Sequence, residues 1–228
     1  MNTSAAETDQ IYASAASSYD RLTWLLSFGS GGFYRRKIVK WLDLPVGGVG
    51  LDVGSGTGGL AHAMQETVGD SGRAVAIDRS PEMLAEARRR GVRETVEGTF
   101  DALPVSAQTV DGLVSGYAIR YAPNLEEALR EMHRVLKPGA KIALLEMAIP
   151  RSRAGRAAAS LLVRRLSPPA MTLCCQSRGA GALMRHFWES VASFPPMETV
   201  VETMKGVGFT NVQTFGPWGM LTEFRARA

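Results

Sequence analysis

The sequence predicts an α/β protein: a doubly wound, Rossmann-like sheet of seven strands, with an N-terminal helical lead-in (residues 1–45) and a helical insertion (residues 150–196) before the last two strands. Three observations predict it. A short apolar run, Val49, Leu51 and Val53, leads into Gly54, Gly56, Gly58 and Gly59 and then into the helical pattern Leu60, Ala61, Ala63, Met64. From Val46 to about Ile149 strand-like and helix-like segments alternate, which implies a parallel sheet covered on both faces. Asp78 ends the second strand at roughly the 20-residue distance at which such folds place an acid for a ribose hydroxyl.

Taken in order, residues Met1 to about Glu7 read as a frayed tail, and Ile11 to Leu44 as helical, with Trp24, Leu25, Ile38, Val39, Trp41 and Leu42 at helix spacing on either side of Gly29, Gly31 and Gly32. After the glycine turn a helix runs to about Thr67, followed by the strand Ala74 to Asp78. Ser80 is a good N-cap and Pro81 suits the first helical position of the next helix, whose apolar face is Met83, Leu84 and Ala87. Thr95 to Gly98 is the third strand and Asp111 to Ser115 the fourth. A helix from Asn124 places Leu125, Ala128, Leu129, Met132 and Leu136 on one side and is expected to stop at Pro138 and Gly139, before a fifth strand from Lys141 to Met147. The insertion holds helical stretches at Ala157 to Leu166 and Gly181 to Ser193, separated by Pro168 and Pro169, and is expected to lie over the sheet as a lid. A helix from Met197 to Gly206 and strands Val212 to Phe215 and Leu221 to Arg225, around Pro217 and Gly219, complete a single domain.

Composition narrows the class. At 228 residues, 45% apolar and 21% charged, the chain has the balance of a soluble globular domain. No apolar run approaches the roughly 18 residues of a membrane span, and Glu7 and Asp9 stand where a secretory leader would be apolar, so the expected location is the cytoplasm. The neighbours Cys174 and Cys175 cannot staple distant segments, and His62, His133 and His186 have no ligand spacing; no metal is expected. The net charge of +4 is mild but clustered, in Arg35, Arg36, Lys37 and Lys40 and again in Arg151, Arg153, Arg156, Arg164 and Arg165 with no acid between. A solvated face is the ordinary meaning of such a run, and an anionic membrane surface or nucleic acid the sharper one.

The glycine turn reads as a cofactor loop, because glycine permits positive φ and close backbone approach beside the free amides of a helix start. Gly54, Gly56 and Gly59 satisfy the dinucleotide pattern G-x-G-x-x-G, a weak signal alone. Asp52 decides against a dinucleotide: its carboxylate would repel a pyrophosphate but suits S-adenosylmethionine (SAM), which carries an ammonium and a sulfonium. The expected donor site gathers strand ends: Asp52, Gly54, Ser55 and Gly56; Asp78 and Arg79, with Met83 on the helix that follows; Asp101 and Ala102, where the acid would take the adenine amino group; and Ser115. Arg120, in an otherwise apolar segment beside Tyr117 and Tyr121, needs an anionic or acceptor partner. That partner is either an acid of the lead-in, such as Asp20, or a substrate oxygen. His186, next to Phe187 and Trp188, is a candidate base.

These residues place the chain close to a known family. It resembles the class I SAM-dependent methyltransferases, and within them the C-methyltransferases of menaquinone and ubiquinone biosynthesis. Ala15 to Asp20 with Leu25, Leu26, Ser27, Phe28 and Gly29, Asp52 to Gly58, Glu127 to Gly139 with Leu145 and Glu146, and Glu189, Ser190, Phe194, Pro195, Gly208 and Phe209 carry the resemblance. It implies SAM contacts at Tyr19, Gly54, Gly56, Asp78, Arg79, Asp101 and Ala102, and an Arg120 that faces a quinol. Tyr121 stands where the family usually has Asn and Trp188 where it has Pro, and Leu161 to Gly181 departs from the usual insertion.

The reaction these features imply is transfer of the SAM methyl to a ring carbon of a prenylated hydroquinone, leaving S-adenosylhomocysteine. Arg120 would stabilise the phenolate, Tyr117 and Tyr121 would position the ring, and the arginine-rich insertion would rest against anionic lipid. A second copy of the chain is a compatible partner; nucleic acid is not expected, since the basic groups lack interleaved aromatics. Another small aromatic or terpenoid acceptor is the alternative, with an RNA-binding protein and a nicotinamide oxidoreductase as rivals from other classes.

Overall fold

The computed structural model describes residues 5–26, 29, 31–147, 152–216 and 221–228. Ser27 and Phe28 of the lead-in, Arg151 of the second basic group, and Pro217 and Gly219 lie outside the described residues. The lead-in is two helices, α1 (Ala5–Leu26) and α2 (Gly31–Leu42), so helix begins inside the stretch expected to be a tail. Then come β1 (Val49–Val53), α3 (Gly59–Val68), β2 (Arg73–Asp78), α4 (Pro81–Arg89), β3 (Glu94–Glu97) and β4 (Val110–Gly116). A 3-10 turn, Ile119–Tyr121, precedes α5 (Leu125–Val135) and β5 (Leu136–Met147). The insertion is α6 (Arg153–Ser160), a π-helical turn (Leu161–Leu166), α7 (Ser167–Cys175) and α8 (Arg178–Ser193); α9 (Met197–Val207), β6 (Thr210–Phe215) and β7 (Leu221–Arg227) finish the chain.

The strands form one seven-stranded sheet in the order β3-β2-β1-β4-β5-β7-β6. The first five are parallel, and β7 runs antiparallel to both β5 and β6. From β1 the chain winds outward through β2 and β3, then returns to β4 on the other side of β1, which makes the β1/β4 boundary the switch point where such sheets open a crevice. Central strands are apolar on both faces because both are covered. Leu113, Ile142, Leu144 and Phe224 pack with Leu129 and Met132 of α5 and Val200 and Met204 of α9. Val114, Ala143 and Leu145, one residue out of phase, pack with Ile38, Val39 and Leu42 of α2 and Leu60 and Met64 of α3. A third cluster joins Ala15 and Leu22 of α1 to Ala180, Leu183 and Met184 of α8.

Two expectations change. α5 ends at Val135, and Pro138 and Gly139 lie inside β5 rather than stopping the helix. Gly139 has φ of 78° and its amide donates to the Ala228 carbonyl at 2.7 Å, so the extra residues are taken up next to the last residue of the chain. Pro168 and Pro169 begin α7 instead of separating helices, since a first helical turn needs no amide from them. The α5 start is as read: the Asn124 side chain accepts from the amides of Glu126 at 2.9 Å and Glu127 at 3.4 Å. Asn124→Ala is expected to lower stability by about 1 kcal/mol in urea denaturation, without change in denaturant sensitivity.

Candidate active site

At the switch point a cleft opens beside the carboxyl ends of β1 and β4. Its floor is the glycine loop between β1 and α3, where Gly54, Gly56 and Gly58 have φ of 71°, 53° and 72°. Three left-handed glycines fold the loop back under β2, with the amides of Gly54 and Ser55 both donating to the Ile77 carbonyl at 2.8 and 3.0 Å. A Cβ on Gly54 would meet Ala118 Cβ at 2.4 Å and Phe100 Cζ at 2.8 Å, so the loop is bare because its walls close in. Asp78 binds the loop from the side: one carboxylate oxygen accepts from Gly56 N at 2.7 Å, the other from Ser80 N at 2.9 Å. Burial pushes the Asp78 carboxyl up, with the Ser80 and Gly56 amides opposing.

Helix α1 clamps the same loop. Asp20 accepts from Thr57 Oγ1 at 2.7 Å and pairs with Arg90, whose Nε donates to the Thr57 carbonyl at 2.7 Å. Asp20 is therefore not the partner of Arg120. That partner is Glu146, at 2.7 Å, with both side chains almost fully buried. Arg120 Nε also donates to Ser190 Oγ of α8 at 3.1 Å, and the guanidinium lies over the rings of Tyr121 and Phe187, 4.8 and 5.0 Å from their centroids. Burial pulls the guanidinium pKa down, but Glu146, with Tyr121 and Tyr12, raises it by more, so the charge is permanent. Arg120 is thereby engaged inside the protein and is not among the residues that line the cleft.

Of the other expected residues, Tyr19, Gly54, Gly56, Asp78, Arg79, Met83, Tyr117 and Tyr121 line the cleft. Asp101 and Ala102 are exposed and do not line it; Gly98, Thr99 and Phe100 form that part of the wall. Asp52, Ser55 and Ser115 lie beneath the wall. Asp52 acts first as a cap, its carboxylate accepting from Ala61 N in the first turn of α3 at 2.9 Å, which no side chain of the loop does. His186 is buried behind Tyr121, stacked on its ring at 5.7 Å, off the cleft wall. Burial lowers its pKa, Glu189 opposes and Arg120 adds, so it is neutral at pH 7.

Thr8 and Tyr12 of α1 also line the cleft, and neither was expected there. Tyr12 is one of several aromatics of the lead-in, and nothing in its helical spacing separates a wall residue from a core one. The Tyr12 hydroxyl donates to Tyr121 Oη at 2.9 Å. Ser190 Oγ donates to the Phe187 carbonyl and accepts from Arg120, so at the 2.9 Å contact between them Tyr121 is the donor. The chain of hydroxyls thus has one direction, and the lone pairs of Tyr12 remain free to accept. Burial raises Tyr12 well above the usual tyrosine range and pushes Tyr19 and Tyr117 up to about 12; at neutral pH they are hydrogen-bonding groups, not bases. Tyr117 holds φ of 60°, a conformation rare for a bulky side chain, with its amide donating to the Leu145 carbonyl at 2.7 Å.

The donor fits these residues. Among the described residues Asp52 Oδ1, Ser55 Oγ and Ser115 Oγ are buried without a hydrogen-bond partner near the carboxyl ends of β1 and β4, an acceptor-rich corner next to which a cation is favoured. Asp78 and Arg79 line the cleft at the end of β2, and Met83 and Phe100 give it an apolar wall. Among the described residues no group of three His, Cys, Asp or Glu side chains converges on a metal position.

Two predictions follow from the loop. Gly54→Ala adds a methyl group where no room exists and is expected to weaken S-adenosylhomocysteine binding roughly tenfold to a hundredfold in calorimetry. Burial pushes the Asp52 carboxyl up to about 7, with the Ala61 amide opposing. The unfolded chain ionises first, so the fold loses stability as pH rises from about 4 and has lost that contribution above about 7, roughly 4 kcal/mol at most. Asp52→Asn, which keeps the cap acceptor, should raise the melting temperature of the ligand-free protein near pH 8 and leave it almost unchanged near pH 4. It should also weaken binding of the cationic donor at pH 8.

Comparison with known proteins agrees with this geometry. A profile of the ubiE/COQ5 methyltransferase family matches residues 1–217. A 2-phytyl-1,4-naphtoquinone methyltransferase of Thermosynechococcus vestitus is 32% identical over 209 residues, covering 90% of this chain and 91% of the relative. The ubiquinone/menaquinone biosynthesis C-methyltransferase UbiE of Geobacter sulfurreducens is 33% identical over 217 residues, 90% of this chain and 83% of the relative. Among solved structures, a SAM-dependent methyltransferase of Thermotoga maritima, described as a possible histamine N-methyltransferase, superposes with a TM-score of 0.66 at 22% identity, covering 96% of this chain and 98% of that one. At that identity it speaks for the fold alone. The seven-stranded sheet, the glycine loop and the family match agree: this chain belongs to the ubiE/COQ5 methyltransferase family and is a SAM-dependent methyltransferase of the class I fold.

Proposed function

We propose that the enzyme methylates a ring carbon of a prenylated hydroquinone, a demethylmenaquinol-like acceptor. The observation that carries the reading is the tyrosine wall. Tyr12, Tyr117 and Tyr121 face the glycine loop and Asp78 across one cleft, so a flat ring held by the tyrosines lies beside the donor. The named activities of the quinone-methylating relatives support the same acceptor class. When bound, SAM supplies a methyl group on a positively charged sulfur.

The chain's own residues supply position and polarity. Tyr12 accepts a hydrogen bond from a phenolic hydroxyl of the acceptor, because its own proton is committed to Tyr121. A hydroquinone offers that proton and the oxidised quinone does not, so the reduced ring is the one held. Tyr117 and Tyr121 close on the faces and edge of the ring, and Arg120 acts from behind, fixing Tyr121 and Ser190 and raising the positive potential where phenolate character develops. Holding two reactants in register is the larger part of such a rate enhancement. The helical insertion, packed through α8 on α1, covers the acceptor side.

Incubation with SAM and a demethyl-naphthoquinol, followed by mass spectrometry, is expected to give a product heavier by one methylene unit. Turnover of an unrelated phenol with none of the quinol would refute the reading. Tyr12→Phe keeps the ring and removes the hydroxyl; kcat/KM for the acceptor should fall roughly tenfold while affinity for S-adenosylhomocysteine stays unchanged.

A further inference from the structure

The outer face of the insertion combines exposed leucines with arginines. Between Glu146 and Glu189 the sequence contains no acid, yet it holds Arg151, Arg153, Arg156, Arg164, Arg165, Arg178 and Arg185. On the continuous helical path from α6 through the π turn to α7, Val163, Ser167, Met171 and Cys175 recur at every fourth residue and face inward, against α1 and α8. The opposite row is Leu162, Leu166, Pro169 and Leu173, with Leu161 beside it, and all of them are exposed. The four leucines are each more than half exposed, and Arg153, Arg156, Arg164 and Arg165 on the same helices are exposed too. Among the described residues none of those four arginines forms an ion pair.

We propose that this face is a docking surface for an anionic lipid bilayer, with the leucine row entering the headgroup boundary and the arginines meeting lipid phosphates. Charge complementarity and the pattern of the row carry the assignment. A helix that lies in an interface needs apolar side chains on one face and basic residues beside them, and here both are present without a compensating acid. Nucleic acid is the poorer occupant, because residues 152 to 176 contain no aromatic side chain on which a base could stack. Among the described residues no helix is long and apolar enough to cross a membrane, so the contact is one of lying on the surface. The docking face is one helical layer from the site: α7 packs on α8, and α8 packs on α1 and on the turn that carries Arg120 and Tyr121. The surface itself stands independently of the acceptor; only its purpose, drawing an isoprenoid-tailed substrate from the bilayer, rests on the function proposed above.

Flotation of the full chain with vesicles tests it, with no acceptor present, so failure here is separate from failure of the acceptor assignment. Vesicles of phosphatidylcholine and phosphatidylglycerol in equal parts are expected to carry the protein, and pure phosphatidylcholine vesicles are not. Leu162→Ser with Leu166→Ser, and Arg164→Gln with Arg165→Gln, should each weaken partitioning roughly tenfold or more. Both double variants should keep wild-type melting and S-adenosylhomocysteine binding, since their side chains point outward. No partitioning, equal partitioning into both vesicle types, or leucine variants that float like wild type would overturn the proposal. So would sedimentation showing a dimer that the leucine variants abolish, or RNA binding that the arginine variants abolish without any vesicle binding.

Discussion

One buried charge pair organises the part of the cleft where sheet and insertion meet. Glu146, at the end of β5, accepts from Arg120 Nη1 at 2.7 Å and from the backbone amide of Arg120 at 3.3 Å, so a single carboxylate holds both the side chain and the chain path of the turn after β4. The guanidinium then reaches Ser190 on α8 and lies over Tyr121 and Phe187. Sheet, turn and insertion meet at that point. Such a pair contributes little net stability, because desolvating two ions offsets most of their attraction, but removing one partner leaves a buried charge and costs about 3–5 kcal/mol. Its effect is therefore on geometry: Tyr121 has one place to be, and Tyr12 one proton to give.

The donor side is held by other means. There the wall is largely backbone, drawn tight by carboxylates from three directions: Asp52 from beneath, Asp78 from β2 and Asp20 from α1. A loop fixed this way is shaped before ligand arrives, and α1 is shared between the two halves of the cleft, contributing Asp20 to one and Tyr12 to the other. Loss of α1 would unmake both sites together, although the sheet beneath it would still have its two packed faces.

The sheet and the donor loop were legible in the sequence because their signals are local. Strand, glycine turn and capped helix occur within a dozen residues, and the β-segments buried on both faces are apolar but for a few polar residues near their ends. The partner of Arg120 was not legible. Nothing in the chain distinguishes Asp20 from Glu146 as its mate until β4 and β5 are paired in register, which sets Gly116 against Leu145. Tyr12 was missed for a related reason: on a helix with many aromatics, which ring reaches a cleft depends on how the helix docks. Asp52, read from the sequence as an acid that disfavours a pyrophosphate, also holds the start of α3, a role its spacing did not announce. Asp101 and Ala102 are exposed at the turn after β3, whose part of the cleft wall is Gly98, Thr99 and Phe100.

Tyr117 carries a backbone cost at φ of 60°, where glycine would rest without strain, while its ring lines the cleft and packs on the core face shared with α2 and α3. A glycine there would relax the chain but take a ring out of both the cleft wall and that packing, so relief of one torsion would leave a looser neighbourhood.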